Sequence, residues 1–166
     1  GLKDEVSMSE PRTIAFDTRL DCETHFLACI EAAQATLAVF DPDVAFFPLG
    51  STSFDTALRA FLARGGRLRL ALHDPSHIER HYPRFLRLLR DYGHLCECRQ
   101  TPRSLRQLTD SFCTGDDIHI VRRFHSDHMR GEAAFDDPAA CELSQHRFEA
   151  IWQESHLTLQ MSRTGL

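Results

Sequence analysis

The apolar positions of this chain change period several times, and each change marks an element. In DCETHFLACIEAAQ (21–34), Phe26, Leu27, Ile30 and Ala33 recur at helical spacing. That pattern predicts an amphipathic helix with Asp21 as N-cap and Thr24 at N3. ATLAVF (35–40) is a continuous apolar run ended by Asp41-Pro42, the signature of a buried strand. VAFFPL (44–49) is as apolar but carries Pro48, so it reads as an edge or loop segment. Ser51 to Ala63 sets Phe54, Leu58, Phe61 and Leu62 on one helical face, and Gly65-Gly66 stops it. RLRLALH (67–73) is a parallel-type strand ending at His73-Asp74.

A third helix is predicted over Tyr82–Tyr92, with Pro83 in its first turn, Phe85, Leu86 and Leu89 as its stripe, and Gly93 beyond it. LCECR (95–99) reads as a strand and SLRQL (104–108) as a short helical turn. DSFCT (110–114) and DIHIVRRF (117–124) form a hairpin across Gly115-Asp116, a turn dipeptide. The last helix covers Glu142–Glu154, with Trp152 as a core anchor. At the other end, RTIAFDT (12–18) alternates like a short strand, and residues 1–11 read as a polar tail. Strands alternating with helices imply an α/β fold: a mixed, mostly parallel sheet with helices on both faces, one domain over residues 12–160.

Composition narrows the setting. With 166 residues, 42% apolar and 26% charged, the chain has ordinary globular values and room for a core. It has no apolar run of about 18 residues and no signal-peptide core, which points to a cytoplasmic protein without a membrane segment. The six cysteines lie within periodic segments, so most are expected to be reduced core residues; Cys96 and Cys98 should share one strand face. A net charge of −5 argues against a dedicated nucleic-acid binder but leaves room for a local basic site.

Candidate chemistry concentrates in DSFCTGDDIHIVRRFHSDHMRG (110–131), with three histidines, three arginines and four aspartates. Arg122, Arg123, His125, His128 and Arg130 are candidate donors to an anion, since guanidinium forks match phosphate or carboxylate oxygens. On a strand Arg122 and Arg123 leave on opposite faces. The competing expectation is a solvated loop whose arginines pair with Asp116, Asp117, Asp127 or Glu132. HSDH (125–128), even with His119 nearby, fits no defensible zinc spacing, so no metal is assigned. HIERH (77–81) carries its glutamate one position too late for a zinc-protease helix. Asp41, His73 and Asp74 lie at strand ends, where open sheets collect ligands, although Asp74-Pro75-Ser76 also reads as a simple cap and turn. Cys113 on the hairpin is a further, weaker nucleophile candidate.

Several phrases resemble one half-domain of the phospholipase D superfamily: LACIEAAQATLAVFDPD, FDTALRAFLARGGRLRLALHD and LRLLRDYGHLCECRQ, followed by a hairpin. Within them ARGGRLRLALHD (63–74) and YGHLCECR (92–99) carry the likeness, which extends over about residues 20–155. The resemblance implies the fold, and it implies where a catalytic H-x-K-x-x-x-x-D motif would stand. Counted back from Asp116, Thr109 and Ser111 occupy the histidine and lysine positions; counted from Asp117, Asp110 and Phe112 do. Neither register keeps a nucleophile for phosphorus or a cation for its oxygens. The expectation is a catalytically inactive binding or regulatory module with a residual anion cleft and no cofactor. Its expected partner is a phosphate-bearing small molecule or a nucleic acid. Two alternatives stand beside it: a phosphoesterase with His125 or His128 as base, and a structural dimerisation domain. A homodimer is also implied by the resemblance.

Overall fold

The computed structural model describes residues 13–160, so the expected tail over residues 1–11 lies outside them. In chain order the elements are β1 (Thr13–Phe16), α1 (Arg19–Ala32), β2 (Thr36–Asp41), α2 (Thr52–Ala63), β3 (Arg67–Leu72), α3 (Ser76–His81) and α4 (Pro83–Asp91). There follow β4 (Cys96–Gln100), a 3₁₀ turn at Arg103–Leu105, β5 (Ser111–Gly115), β6 (His119–Arg123), β7 (Gly131–Ala134), α5 (Pro138–Glu154) and β8 (His156–Thr158).

The eight strands form one sheet in the order β1-β7-β6-β5-β2-β3-β4-β8. Strands β2, β3 and β4 run parallel, as their helical crossovers require. Every other pairing is antiparallel. The sheet is therefore mixed and flanked by helices as expected, but its parallel part is narrower than the mostly parallel arrangement expected. The difference comes from β1, β7 and β8, which add antiparallel edges. GEAA and HLT are too short to show a period-2 apolar pattern, and neither β7 nor β8 is legible in the sequence.

Alternation along β2 divides the core. Leu37 and Val39 face the cluster built with Phe26 of α1, Leu58 and Phe61 of α2 and Phe85 of α4. Ala38 and Phe40 face Phe148, Ile151 and Trp152 of α5. Trp152 is thus the anchor its sequence position indicated, with the Arg99 guanidinium 4.3 Å over its ring. Cys98 is buried in the first cluster with Cys96 packed against it, so the two share a face. All six cysteines are free, and five of them are buried.

Three helices depart from expectation, and the largest shift is in α5, which begins at Pro138 behind Asp137 as N-cap, four residues before the expected Glu142. The N-cap of α1 is Thr18, whose Oγ1 accepts from the Asp21 N–H at 3.1 Å, which puts Asp21 inside the first turn. Arg19 and Leu20 are exposed and add no apolar signal, so the first turn is silent in the pattern. HIERH lies within a true helix, α3, that ends just before Pro83.

The β5–β6 hairpin turns on Asp116 and Asp117 rather than across Gly115-Asp116. Both aspartates have positive φ (54° and 57°), and the Ile118 N–H donates to the Gly115 carbonyl at 3.0 Å. These are features of a type I′ turn, which Asp tolerates better than most residues and whose twist suits a hairpin. Gly115 is needed for another reason: a Cβ there would stand 3.1 Å from the Ala33 Cβ, where α1 closes on the hairpin.

Candidate functional site

The parallel strands end at one edge, and the antiparallel hairpin brings two more strand ends to it. Leu37, Val39 and Asp41 share one face of β2; Cys113 and Ser111 share it on β5; Val121 and Arg123 share it on β6. The register pairs Ser111 directly with Arg123, and Phe40 with Phe112. Carried one residue further, that register sets Asp41 beside Ser111. The result is a cross-strand row, Asp41–Ser111–Arg123, on the face that carries the main core.

This row is fully withdrawn from solvent. Asp41, Ser111 and Arg123 are 0%, 0% and 4% exposed. Ser111 Oγ donates to Asp41 Oδ1 and accepts from Arg123 Nη2 at 3.3 Å. Arg123 Nη2 also lies 3.6 Å from Asp41 Oδ1. The second carboxylate oxygen, Oδ2, accepts from the N–H groups of Asp43 (3.1 Å) and Val44 (2.6 Å). Val44 takes φ +60° to reach it, a conformation a β-branched residue rarely adopts. Burial pushes the Asp41 carboxyl up, against the pull of Ser111, Val44, Arg123 and Asp43. The guanidinium lies 4.4 Å over the Phe46 ring, and its Nε is buried with no hydrogen-bond partner. A cation so enclosed answers one carboxylate inside the protein.

On the opposite face of the sheet, beside Phe40, His73 at the end of β3 is held by two partners. Its Nε2 lies 2.7 Å from the Leu108 carbonyl, which can only accept, and its Nδ1 lies 2.5 Å from Thr101 Oγ1. The proton therefore sits on Nε2, and the ring is a fixed strut. Asp74 turns away: its Oδ1 caps the Ser76 N–H at 2.9 Å. The three strand-end residues named from sequence thus do not form one cleft. Asp41 joins the buried row, His73 the strut, and Asp74 the turn.

The motif segment divides in the same way. Asp116 Oδ1 and Oδ2 accept from three backbone N–H groups, those of Gln34 (2.8 Å), Ala35 (2.7 Å) and Thr36 (3.0 Å), at the start of β2. Burial works against ionisation there, but the three donors outweigh it and hold the Asp116 carboxyl low. Asp117 is exposed at the turn tip. Asp110 makes a two-pronged ion pair with Arg147 of α5 at 2.6 and 2.9 Å. Thr109 and Asp110 line a cavity of about 320 Å³ together with Arg122, Arg123 and Phe124.

Of the five proposed anion donors, Arg122 and Arg123 do leave on opposite faces. Arg122 pairs across the strands with Glu132. His125, His128 and Arg130 lie on the β6–β7 loop. His125 Nδ1 accepts from the Asp127 N–H at 3.0 Å, and His128 Nδ1 from the Arg130 N–H at 3.2 Å. Each ring therefore carries its proton on Nε2, a donor available to an anion and unsuited to a metal. The Asp127 carboxylate, 3.4 Å from the same His125 nitrogen, becomes an ion-pair partner only if that ring is protonated. Among the described residues, no three His, Cys, Asp or Glu side chains are grouped to hold a metal ion. Cys113 is fully buried, its sulfur 3.9 Å from that of Cys29, and no substrate can reach it. No helix among the described residues is long and apolar enough to cross a membrane.

Arg147, Thr101 and Phe46, which complete these arrangements, were not visible as site residues in the sequence, whereas Glu132 was named as a pairing partner of the arginines and does pair with Arg122. The signal for the buried row was present as inward parity on β6, where His119, Val121 and Arg123 alternate with Ile120 and Arg122.

Over residues 18–163 the sequence matches the family described as Domain of unknown function (DUF7931). The chain belongs to that family. A search of curated proteins finds no match. Solved structures share the fold at low identity. Nuc from Salmonella typhimurium, a phospholipase D family member, is 13% identical with a TM-score of 0.62, over 90% of this chain and 99% of that chain. NucT from Helicobacter pylori is 9% identical with a TM-score of 0.61, over 90% and 100%. TrmBL2, an archaeal chromatin protein with a novel mode of DNA binding, is 11% identical with a TM-score of 0.66 over 95% of this chain. The chain spans 59% of that protein. At such identities the likeness speaks to the fold, and the fold of this family member is phospholipase D-like.

Proposed function

We propose that the domain is a non-catalytic phospholipase D-like module that acts by binding. The observation that carries this reading is the closed row Asp41–Ser111–Arg123. Under the register counted from Asp116, Ser111 stands where the superfamily's phosphate-holding lysine would, and Thr109 where its nucleophile would. A lysine at 111 would meet the buried Arg123 guanidinium. Here the only cation of the row is committed to Asp41, so no free positive charge is left to stabilise a phosphoryl transition state. The retained aspartate, Asp116, serves the backbone of β2.

The residual anion site of this reading is the cavity at Thr109, Asp110 and Arg122, with His125, His128 and Arg130 on the loop beyond β6. Its support is the pair of Nε2–H donors on two half-buried loop histidines and a guanidinium only half-buried. Its ligand class is a phosphate-bearing molecule. DNA binding by TrmBL2, a chromatin protein that shares this fold, is compatible with a non-catalytic role.

The test is turnover. Purified protein should hydrolyse neither bis(p-nitrophenyl) phosphate nor labelled DNA above the rate of buffer. Turnover that disappears in His125→Ala or His128→Ala would instead establish a phosphoesterase with a different base. For the anion site, inorganic phosphate at 100 times its dissociation constant should stabilise the fold by about 2.7 kcal/mol. Absence of a thermal shift sinks that part of the proposal while leaving the non-catalytic reading standing.

A further inference from the structure

The charge of this chain is unevenly placed. Residues 77–106 contain seven arginines against three carboxylates, within a chain whose net charge is −5. One of the seven, Arg99, is already committed: it serves Glu97 and stacks on Trp152. The other six are Arg80, Arg84, Arg87, Arg90, Arg103 and Arg106. Arg84 is half-buried and the rest are exposed. Among the described residues, none of the six has a carboxylate within 4.0 Å.

Local structure gathers four of these residues, Arg80, Arg84, Arg87 and Arg90, on the α3–α4 segment. In α4, Phe85, Leu88 and Leu89 are buried in the core. At 100° per residue, Arg87 and Arg90 straddle the opposite, outward side. Arg84 flanks that side, and its Nη1 donates to the Gly50 carbonyl at 2.8 Å. Helix α3 leads directly into α4 and carries Arg80. Arg106 lies at the end of the 3₁₀ turn beyond β4. Ile78 of α3 enters the same core cluster as Phe85, Leu88 and Leu89 of α4, so both helices cover one face of the sheet, while the 3₁₀ turn packs Leu105 against the other cluster beside α5. Asp91, which would otherwise offset Arg87 and Arg90, is taken by Arg59 of α2 at 3.0 Å.

We propose that the outer surface of α3 and α4 is a docking surface for the phosphate backbone of double-stranded nucleic acid. Unpaired guanidinium groups present forked donors to phosphate oxygens and release counterions when they meet them. The acidic remainder of the chain repels the same polyanion, so the molecule would approach with this side forward. A membrane is a poorer fit. The apolar side of α4 is spent on the core, and the exposed large hydrophobic residues, Ile14, Leu20, Phe124, Leu143 and Leu157, lie on other elements. Nothing on this surface could enter a bilayer. The surface shares no residue with the Asp41–Ser111–Arg123 row or the anion cavity, so it goes beyond the proposed function and stands or falls separately.

The test is fluorescence anisotropy with a labelled duplex of about 30 base pairs, long enough to offer several phosphate contacts. At 50 mM salt the dissociation constant should be on the order of 1–100 µM. With about four phosphate contacts it should weaken on the order of 100-fold by 200 mM salt. The triple variant Arg80→Glu, Arg87→Glu, Arg90→Glu should lose at least tenfold in affinity at 50 mM. The matched Lys triple should keep most of the binding, and Arg19→Gln, a charge change on α1, should leave it unaltered. A melting temperature matching wild type shows that the variant is folded. If it is not, the triple Gln variant replaces it with the same expected loss. The proposal is overturned if wild type does not bind the duplex at 50 mM salt, or if a folded triple variant binds as wild type does. It is also overturned if the protein sediments with phosphatidylserine vesicles but ignores DNA. Loss of duplex binding with no phosphodiester turnover leaves the non-catalytic reading intact.

Discussion

Arg122 and Arg123 are neighbours of one residue type on one strand, and the sheet gives them opposite fates. Arg123 points into the core face, where it is 4% exposed and meets Asp41 and Ser111. Arg122 points the other way, pairs with Glu132 and keeps about a third of its side chain in water. Parity on a strand decides whether an arginine is part of the protein's internal structure or available for recognition. A count of basic residues in a segment misses that decision.

Removing one partner of the buried row tests this contrast most severely. Asp41→Ala leaves Arg123 buried without its counter-charge, and Arg123→Ala leaves Asp41 likewise. Either should cost about 3–5 kcal/mol. At about 2–4 °C per kcal/mol for a domain of this size, the melting temperature should fall by roughly 10 °C. Asp41→Ala also removes the acceptor that holds Val44 at positive φ, so the 42–47 loop should become protease-sensitive in the folded state. A melting temperature within about 2 °C of wild type, the shift expected for less than 1 kcal/mol, would show that the row is solvated and that its arginine is free to bind.

The two turn aspartates supply a second contrast, of smaller size. Asp116 ties the hairpin to the start of β2 through three N–H donors, whereas Asp117 is exposed. Asp116→Ala should cost about 2 kcal/mol, reduced from the sum of three charge-assisted bonds because the site is partly open to water. Asp117→Ala should cost well under half of that. The pH dependence has a definite sign. The Asp116 carboxyl is held low in the folded state, so the unfolded chain binds its proton first on acidification. Its contribution is complete above the unfolded value near 3.8 and is lost as pH falls through the lower folded value. Urea midpoints of wild type and Asp116→Asn should differ most above about pH 5 and draw together as pH falls below the unfolded value near 3.8. A gap that widens on acidification would contradict the anchoring role.

Between these extremes stands Arg147–Asp110, with both side chains about a quarter to a third exposed. Its forked geometry is good, and the hydrogen bond to Asp110 raises the guanidinium's proton affinity. Arg147→Ala should cost about 1 kcal/mol and widen the cavity at Thr109 and Asp110. A double-mutant cycle with Asp110→Ala would isolate the pair's share.

The central part of the fold is plain in the sequence. The helical stripe at Phe54, Leu58, Phe61 and Leu62 and the run at 35–40 specify a helix and a buried strand with little ambiguity, because long periodic segments bury a whole face. The edge strands β7 and β8 are illegible for the opposite reason: three or four residues carry no periodic pattern. The site was legible in its members and not in its assembly. Asp41, Ser111 and Arg123 were each singled out, but as a strand end, a motif position and an anion donor. Their union depends on the β2–β5 and β5–β6 registers, which a single sequence does not display. Thr101 and Arg147 gave no signal, since a buried threonine at a strand end and an arginine in a polar helix are ordinary until their partners are placed.

The smallest effect belongs to the outward face of β6. Arg122 and Glu132 face each other across β6 and β7, each about one-third exposed, and the guanidinium lies 5.5 Å over the half-exposed Phe124 ring. Cross-strand ion pairs of this exposure contribute about 0.2–1 kcal/mol and are screened by salt. Arg122→Ala should therefore lower the melting temperature by no more than about 3 °C, and the difference should shrink further in about 1 M salt, where the Debye length is about 3 Å. Because Glu132 already occupies the guanidinium, Glu132→Gln should strengthen any phosphate response while changing stability just as little. Were Arg122→Ala as damaging as Arg123→Ala, the two faces of β6 would be equivalent, and strand parity would not separate structural from available charge.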